Sequence, residues 1–268
     1  DTAIVGKYLG VQALASLGAC EYLIWLLYGI LQGITQGFSI KMAQDFGAND
    51  EKSLKKVVGN SAVLSVISSI ILLAAGILSS KPILKMLHTP EEILPLSTLY
   101  INILFMGLPV IFAYNLLAGL LRSLGNSKTP LQAVIVSSVI NIVLDLVFVL
   151  VFKWGIGGSA IATLIAQIFA SMFCLMSLRK IPQVRISKSD LKIDIILSKK
   201  LYILGIPLAI QGAIIAVGGM IVEFVVNSFG VAFMAAYVAV TKLYGLLEIA
   251  ATSFGFALMS FVGQNQGA

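Results

Sequence analysis

Asp145 is the residue of this chain that most needs a chemical reason for its place. It stands in an aliphatic run with Ser137 and Asn141 recurring every fourth residue before it. At helical period the three share one face. After a turn near residues 153–158, Ser159, Thr163, Gln167 and Ser171 repeat the spacing. Counted from Gly155 at ~1.5 Å per residue, Asp145 lies ~15 Å and Thr163 ~12 Å deep, so the two polar ladders can meet at one level. A carboxylate beside an amide and a hydroxyl, deep in apolar surroundings, is a site for an ion or a proton.

Residues 137–171 read as a helical hairpin whose arms each approach the ~20 residues needed to cross a bilayer. The whole chain agrees. Of its 268 residues 59% are hydrophobic and 11% charged, and the mean hydropathy is +1.00. The apolar residues fall in long runs rather than amphipathic stripes, which points to an all-α polytopic membrane protein. Spans are expected at residues 1–10, 14–43, 57–78 and 97–121, at the hairpin arms from 131 and 158, and at 204–226 and 232–262. Gly29, Gly33 and Gly37 form a strip on the second span that permits close helix contact. Asp1 is not preceded by an initiator Met, and the stretch before Gly10 is short for a span, so the expectation is a fragment whose first helix is truncated.

The net charge of +6 does not indicate nucleic acid, because the basic residues cluster in a few loops between spans and so report topology. Arg122, Lys128, the loop lysines at 41, 52, 55 and 56, and the basic stretch from Arg179 to Lys200 fall on one side. Lys7, Lys81, Lys85 and Lys153 fall on the other. The first side is therefore expected in the cytoplasm. Cys20 and Cys174 lie within hydrophobic segments, where thiols pack as small apolar groups. His88 has no Cys or His nearby, so a structural zinc or a catalytic triad has no support. The chain is not expected to be an enzyme and carries no cofactor signature.

A shift of 220 positions lays residues 5–48 over 225–268 without a gap, matching Gln44, Gly47 and Ala48 to Gln264, Gly267 and Ala268. This reads as a parallel transporter duplication. The implied organisation is an N-terminal lobe at 1–180, a basic cytoplasmic link at 181–203 and the start of a second lobe at 204–268.

DTAIVGKYLG at the start, RSLGNSKTP, NIVLD, WGIGGSAIAT and GQNQGA at the end together resemble the multidrug and toxic compound extrusion (MATE) family. The resemblance implies two lobes of six helices, of which the chain holds the first and the opening hairpin of the second. It implies a monomeric, multi-pass transporter of the cell membrane that exports amphipathic or cationic organic compounds in antiport with H⁺ or Na⁺ by alternating access. It also assigns the cation site to Asp1, Asn141, Asp145 and Thr163, a set that depth along the helices already draws together. No other metal is implied. A glutamate that some members carry after the span-seven Gly-x-Pro is absent here, where AIQGAII follows Pro207.

Desolvation disfavours an ionised carboxylate, so a proton arriving from outside could neutralise Asp145 and Asp1 and rearrange nearby helices. Alternatively their oxygens could ligate Na⁺, a hard ion that prefers oxygen donors. A purely structural hydrogen-bonded Asp holding two helices together is the plain alternative. Glu223 and Lys242 are placed to pair between spans seven and eight, and Glu21 and Glu248 could face the cavity. A flippase for lipid-linked saccharides is the alternative function for this architecture.

Overall fold

The computed structural model describes residues 2–227 and 231–268, with the backbone alone at 223–224, 226–227, 231–239, 241–243 and 246. Among them there is no strand. The helices are α1 (Thr2–Tyr8), α2 (Val11–Gly47), α3 (Glu51–Met86), α4 (Leu94–Met106), α5 (Leu108–Ser123), α6 (Lys128–Leu146), α7 (Gly155–Leu178), α8 (Ile195–Asn227) and α9 (Val231–Gly267). Six helical stretches are long and apolar enough to cross a membrane, or seven when α4 and α5 are taken as one bent span. With α1 ahead of them, the order is the expected one, and the chain is an integral, multi-pass membrane protein.

The surface is built for lipid. Ile70, Ile71, Val139 and Met176 are more than half exposed, whereas Ser16, Asn60, Ser61, Ser97, Asp145 and Ser159 are buried. Where the surrounding medium is as apolar as Leu, polar and small side chains turn inward and branched aliphatics face out.

Two spans depart from the simple reading. The fourth is broken at Gly107, where α4 and α5 meet at 47°. Gly107 and Pro109 explain the break, since proline in the first turn of α5 cannot donate to the turn before it. The sixth helix does not end as a plain α-helix. It passes into a π turn at Val147–Val151, in which Phe152 N–H donates to the carbonyl of Val147 at 3.0 Å.

The glycine strip of α2 is a contact surface. A methyl group on Gly29 would come within 3.0 Å of the Gly212 backbone. Gly33 faces the backbone of Leu208 and Ala209 in the same way, and Gly37 that of Gly205. The strip is therefore the seat of α8. That helix starts at Ile195 and so takes up the last residues of the 181–203 link. The rest of the link is fastened to α3 by one buried side chain. The Asn60 carboxamide oxygen accepts the Asp194 N–H at 2.9 Å, and its NH₂ donates to the carbonyls of Lys56 and Lys192 at 3.1 and 3.2 Å. Higher on α3, the Ser68 and Tyr202 hydroxyls bond at 2.8 Å.

The internal repeat is visible as geometry. α2 and α9 are both 37 residues long and start 220 positions apart. They cross at their C-terminal ends, where Gly47 lies against the Gln264 carbonyl and Gly267 against the Gln44 carbonyl. Each contact is the other shifted by the repeat, the signature of a local two-fold axis between equivalent helices. Gln44 Nε2 donates to Gln266 Oε1 at 3.1 Å, and Gln264 Nε2 to the Ser123 carbonyl at 2.7 Å, tying α9 to α2 and α5.

Candidate functional site

α6 and α7 pack antiparallel, and polar positions meet across the seam: Asp145 with Ser159 and Asn141 with Thr163. Asp145 is fully buried, and so is Ser159, which stands beside its carboxylate. One turn lower, Asn141 Nδ2 donates to Thr163 Oγ1 at 3.4 Å. The Thr163 hydroxyl in turn donates to the Ser159 carbonyl at 3.1 Å. Three of the four residues expected at a cation site thus stand together on two turns of one hairpin. Asp1 lies outside the described residues; α1, which begins at Thr2, packs against α2, α7 and the π turn.

The local chain explains how a carboxylate is held there. The π turn begins two residues after Asp145, widening the helix where its side chain turns inward. Left-handed backbone at Lys153 (φ 55°) and Gly155 (φ 59°) reverses the chain tightly. Phe148, Phe152 and Trp154 then gather over the end of the seam, with ring centroids 4.8 to 5.8 Å apart. Phe148 is buried among them, while Phe152 and Trp154 stay about half exposed. Lower down, the ladder runs on through Ser171, which donates to the Gln167 carbonyl at 2.9 Å, to Thr129 and Ser177, whose hydroxyls are 3.5 Å apart.

The other expected charges are not drawn into this cluster. Glu21 is exposed on α2 and Glu248 is exposed on α9. The side chains of Glu223 and Lys242, expected to pair, lie outside the described residues. Two features of the site went unread in the sequence. Ser159 was visible in the ladder but takes its place beside Asp145 only through the register. Tyr100, buried on α4, stands within electrostatic reach of Asp145, Tyr28 and Cys20, and no spacing in the chain announces it. Among the described residues no cluster of His, Cys, Asp and Glu could hold a metal ion.

A cavity of about 570 Å³ lies elsewhere, between α5, α6 and α9, with Arg122 stacked on Phe256 at 4.9 Å in its wall. Its α9 wall includes Ser253 and Ala257, which fall 220 positions after Gly33 and Gly37. On α2 those positions receive a helix.

A profile of the family described as MatE matches residues 1–147. The probable multidrug resistance protein YoeA of Bacillus subtilis (strain 168) is 35% identical over 98% of this chain and 59% of its own length. The probable multidrug resistance protein YpnP of the same organism is 32% identical over 100% of this chain and 60% of its own. The chain spans about 60% of the length of these curated relatives. A crystal structure described as MATE in the straight conformation superposes with a TM-score of 0.90 at 22% identity, covering 99% of this chain and 60% of that one.

Proposed function

This chain belongs to the MATE family, and from that premise we propose that the complete protein exports amphipathic or cationic organic compounds across the cell membrane in exchange for H⁺ or Na⁺. The chain supplies an N-terminal lobe at residues 1–180, a cytoplasmic link at 181–203 and the first hairpin of a second lobe from 204. Residues 122–128 and 179–200 face the cytoplasm, as the distribution of Lys and Arg favours. The names of the relatives speak for drug-like cargo rather than for lipid-linked saccharides.

One observation carries the reading: a fully buried Asp145 in register with Ser159, one turn above a hydrogen-bonded Asn141–Thr163 pair. An ionised carboxylate in an apolar layer needs a counter-charge, and a proton or a Na⁺ ion supplies it. The neighbouring amide and hydroxyl oxygens suit either, because both are oxygen-seeking cations. Asp1, from a third span, completes the set. Binding the cation favours one arrangement of the lobe and binding cargo another, so each ligand displaces the other through its differential affinity.

The test is Asp145→Asn in the complete protein reconstituted in vesicles. The variant should insert and fold while losing cargo-driven movement of H⁺ or Na⁺. Export at the parental rate would remove the cation site from this hairpin.

A further inference from the structure

We infer that, with the link on the cytoplasmic side as proposed, residues 179–200 form a membrane-surface element whose exposed lysines and isoleucines together hold anionic phospholipid of the cytoplasmic leaflet.

α3 sets the level at which this stretch lies. A methyl group on Gly59 would run into the Asp190 carbonyl, and Asn60 bonds the Lys192 carbonyl and the Asp194 N–H at 3.2 and 2.9 Å. Gly59 and Asn60 are the third and fourth residues of the apolar run that begins at Val57, only ~3–5 Å along the helix from its start. The stretch is therefore pinned where the third span enters the membrane, not carried free in the cytoplasm. Its ends are held at the same boundary, since α7 closes at Leu178 and α8 opens at Ile195. Beyond α7 the Arg185 guanidinium donates to the Arg179 carbonyl at 3.2 and 3.3 Å, drawing the chain back against the helix end.

Residues 179–200 hold seven Lys and Arg against two Asp. Both aspartates are engaged locally: Asp190 accepts from Ser187 at 2.7 Å, and Asp194 from the Leu197 N–H at 3.0 Å. Lys180, Lys188, Lys192, Lys199 and Lys200 are exposed and, among the described residues, form no ion pair. Between these cations stand aliphatic side chains that water does not favour. Ile186, Leu191 and Ile193 are exposed, and Ile195 and Ile196 are 80% and 73% exposed. A basic run alone reports topology, and an exposed isoleucine alone is ordinary. Interleaved on one pinned segment at the edge of the bilayer, they match a layered surface, with aliphatics at the acyl boundary and ammonium groups at the phosphates. Lys199 and Lys200, one turn into α8, have stems long enough to bring their charges back to that layer.

The experiment uses the complete protein in nanodiscs of mixed phosphatidylcholine and phosphatidylglycerol, with a polarity-sensitive fluorophore on Ile193→Cys. A quenching spin label is placed high on the acyl chain of one lipid or of the other. At low salt, labelled phosphatidylglycerol should quench about fivefold more effectively than labelled phosphatidylcholine, the ratio that one basic residue near an anionic surface supplies. High salt should shrink that preference, because it screens exposed charges. Lys180→Gln, Lys188→Gln and Lys192→Gln together, which spare the Arg185 contact, should bring the ratio close to one while both lipids still quench. Equal quenching by the two lipids at low salt, or a preference unchanged in the triple variant, would overturn the assignment. So would quenching by neither lipid, which would mean that protein covers the isoleucines. A membrane-impermeant thiol reagent added to intact cells keeps the two readings apart. Labelling of Ile193→Cys from outside would overturn the cytoplasmic placement itself, and with it the leaflet, whereas equal quenching without such labelling overturns the lipid partner alone.

Discussion

Two antiparallel helix seams in this molecule are written with the same four-residue spacing and do opposite things. Along α6 and α7 the repeated positions are Ser, Asn, Asp, Thr and Gln, and the helices meet through side chains, as in the 3.4 Å contact from Asn141 to Thr163. Along α2 and α8 they are Gly29, Gly33 and Gly37 against Gly212, Ala209 and Gly205, and the helices meet backbone to backbone. The first seam keeps polar atoms where lipid would otherwise be. The second, at its three glycine positions, has no side-chain polar atom to keep. Helix spacing alone therefore announces that two helices will touch; the residue type decides whether the contact is a place for chemistry or a fixed joint.

The sharpest way to break the comparison is to take the chemistry out of one seam and the closeness out of the other. Asp145→Asn should abolish coupled exchange and leave the melting temperature of the complete protein at or above the parental value, since a buried charge is removed while the shape is kept. Gly33→Leu should do the reverse in kind. A side chain there meets the Leu208 and Ala209 backbone, which cannot rotate away, so a loss of ~3 kcal/mol or more is expected. Gly29→Ala, whose methyl would sit 3.0 Å from Gly212, should cost less, ~1 kcal/mol. Thermal melting in detergent ranks the three; an Asp145→Asn protein that melts lower than Gly33→Leu would show that the polar seam, not the glycine seam, is the structural one.

These two seams were also unequally legible in the sequence. The polar ladder could be read with its partner, because a short turn joins its two arms and antiparallel packing then sets the pairing. The glycine strip could be read only as a surface awaiting a helix. Its partner α8 lies some 170 positions away, and nothing in the local pattern names it. The bend at Gly107 carried a visible signal, glycine followed closely by Pro109, that was outweighed by the length of the apolar run. The π turn at Val147–Val151 carried none, because its residues are all apolar and fit an α-helix equally well. Tyr100 belongs to the same class: its approach to Asp145 depends on how α4, ahead of the bend, packs against the hairpin.

A third set of contacts uses a polar side chain as a fastener between the link and a helix. Asn60 secures the link to α3 through two of the link's backbone groups, the Lys192 carbonyl and the Asp194 N–H, and Asn60→Ala would remove both hydrogen bonds, at ~1 kcal/mol each. The prediction is faster tryptic cleavage of the complete protein at Arg185, Lys188 and Lys192, with a smaller fall in melting temperature than Gly33→Leu gives. Cleavage at the parental rate would mean that the Ser68–Tyr202 hydrogen bond and the α2 seat hold α8 without help from the link.

The smallest effect expected is also the one that separates the two kinds of contact by pH. Asp190 is half-buried in the link, and its carboxylate accepts the Ser187 N–H and hydroxyl, both at 2.7 Å. The bond from the Ser187 backbone, then that from its hydroxyl, with Lys55 and Lys56 adding attraction, holds this carboxyl below the usual carboxylate range. A carboxyl whose folded value is depressed stabilises its turn fully above its unfolded value, ~3.9, and loses that contribution as pH falls through the lower folded value. Hydrogen exchange at Ser187, corrected for the intrinsic rate, should therefore gain protection only in the acid range and stay level from there to neutrality. Asp190→Asn should remove the acid step. The α2–α8 seam offers no titrating group at Gly29, Gly33 or Gly37, so the amides around these glycines should show no step of their own. An acid transition shared by both regions would mean that the link and the glycine joint open as one unit, and that the backbone contact depends on the polar one.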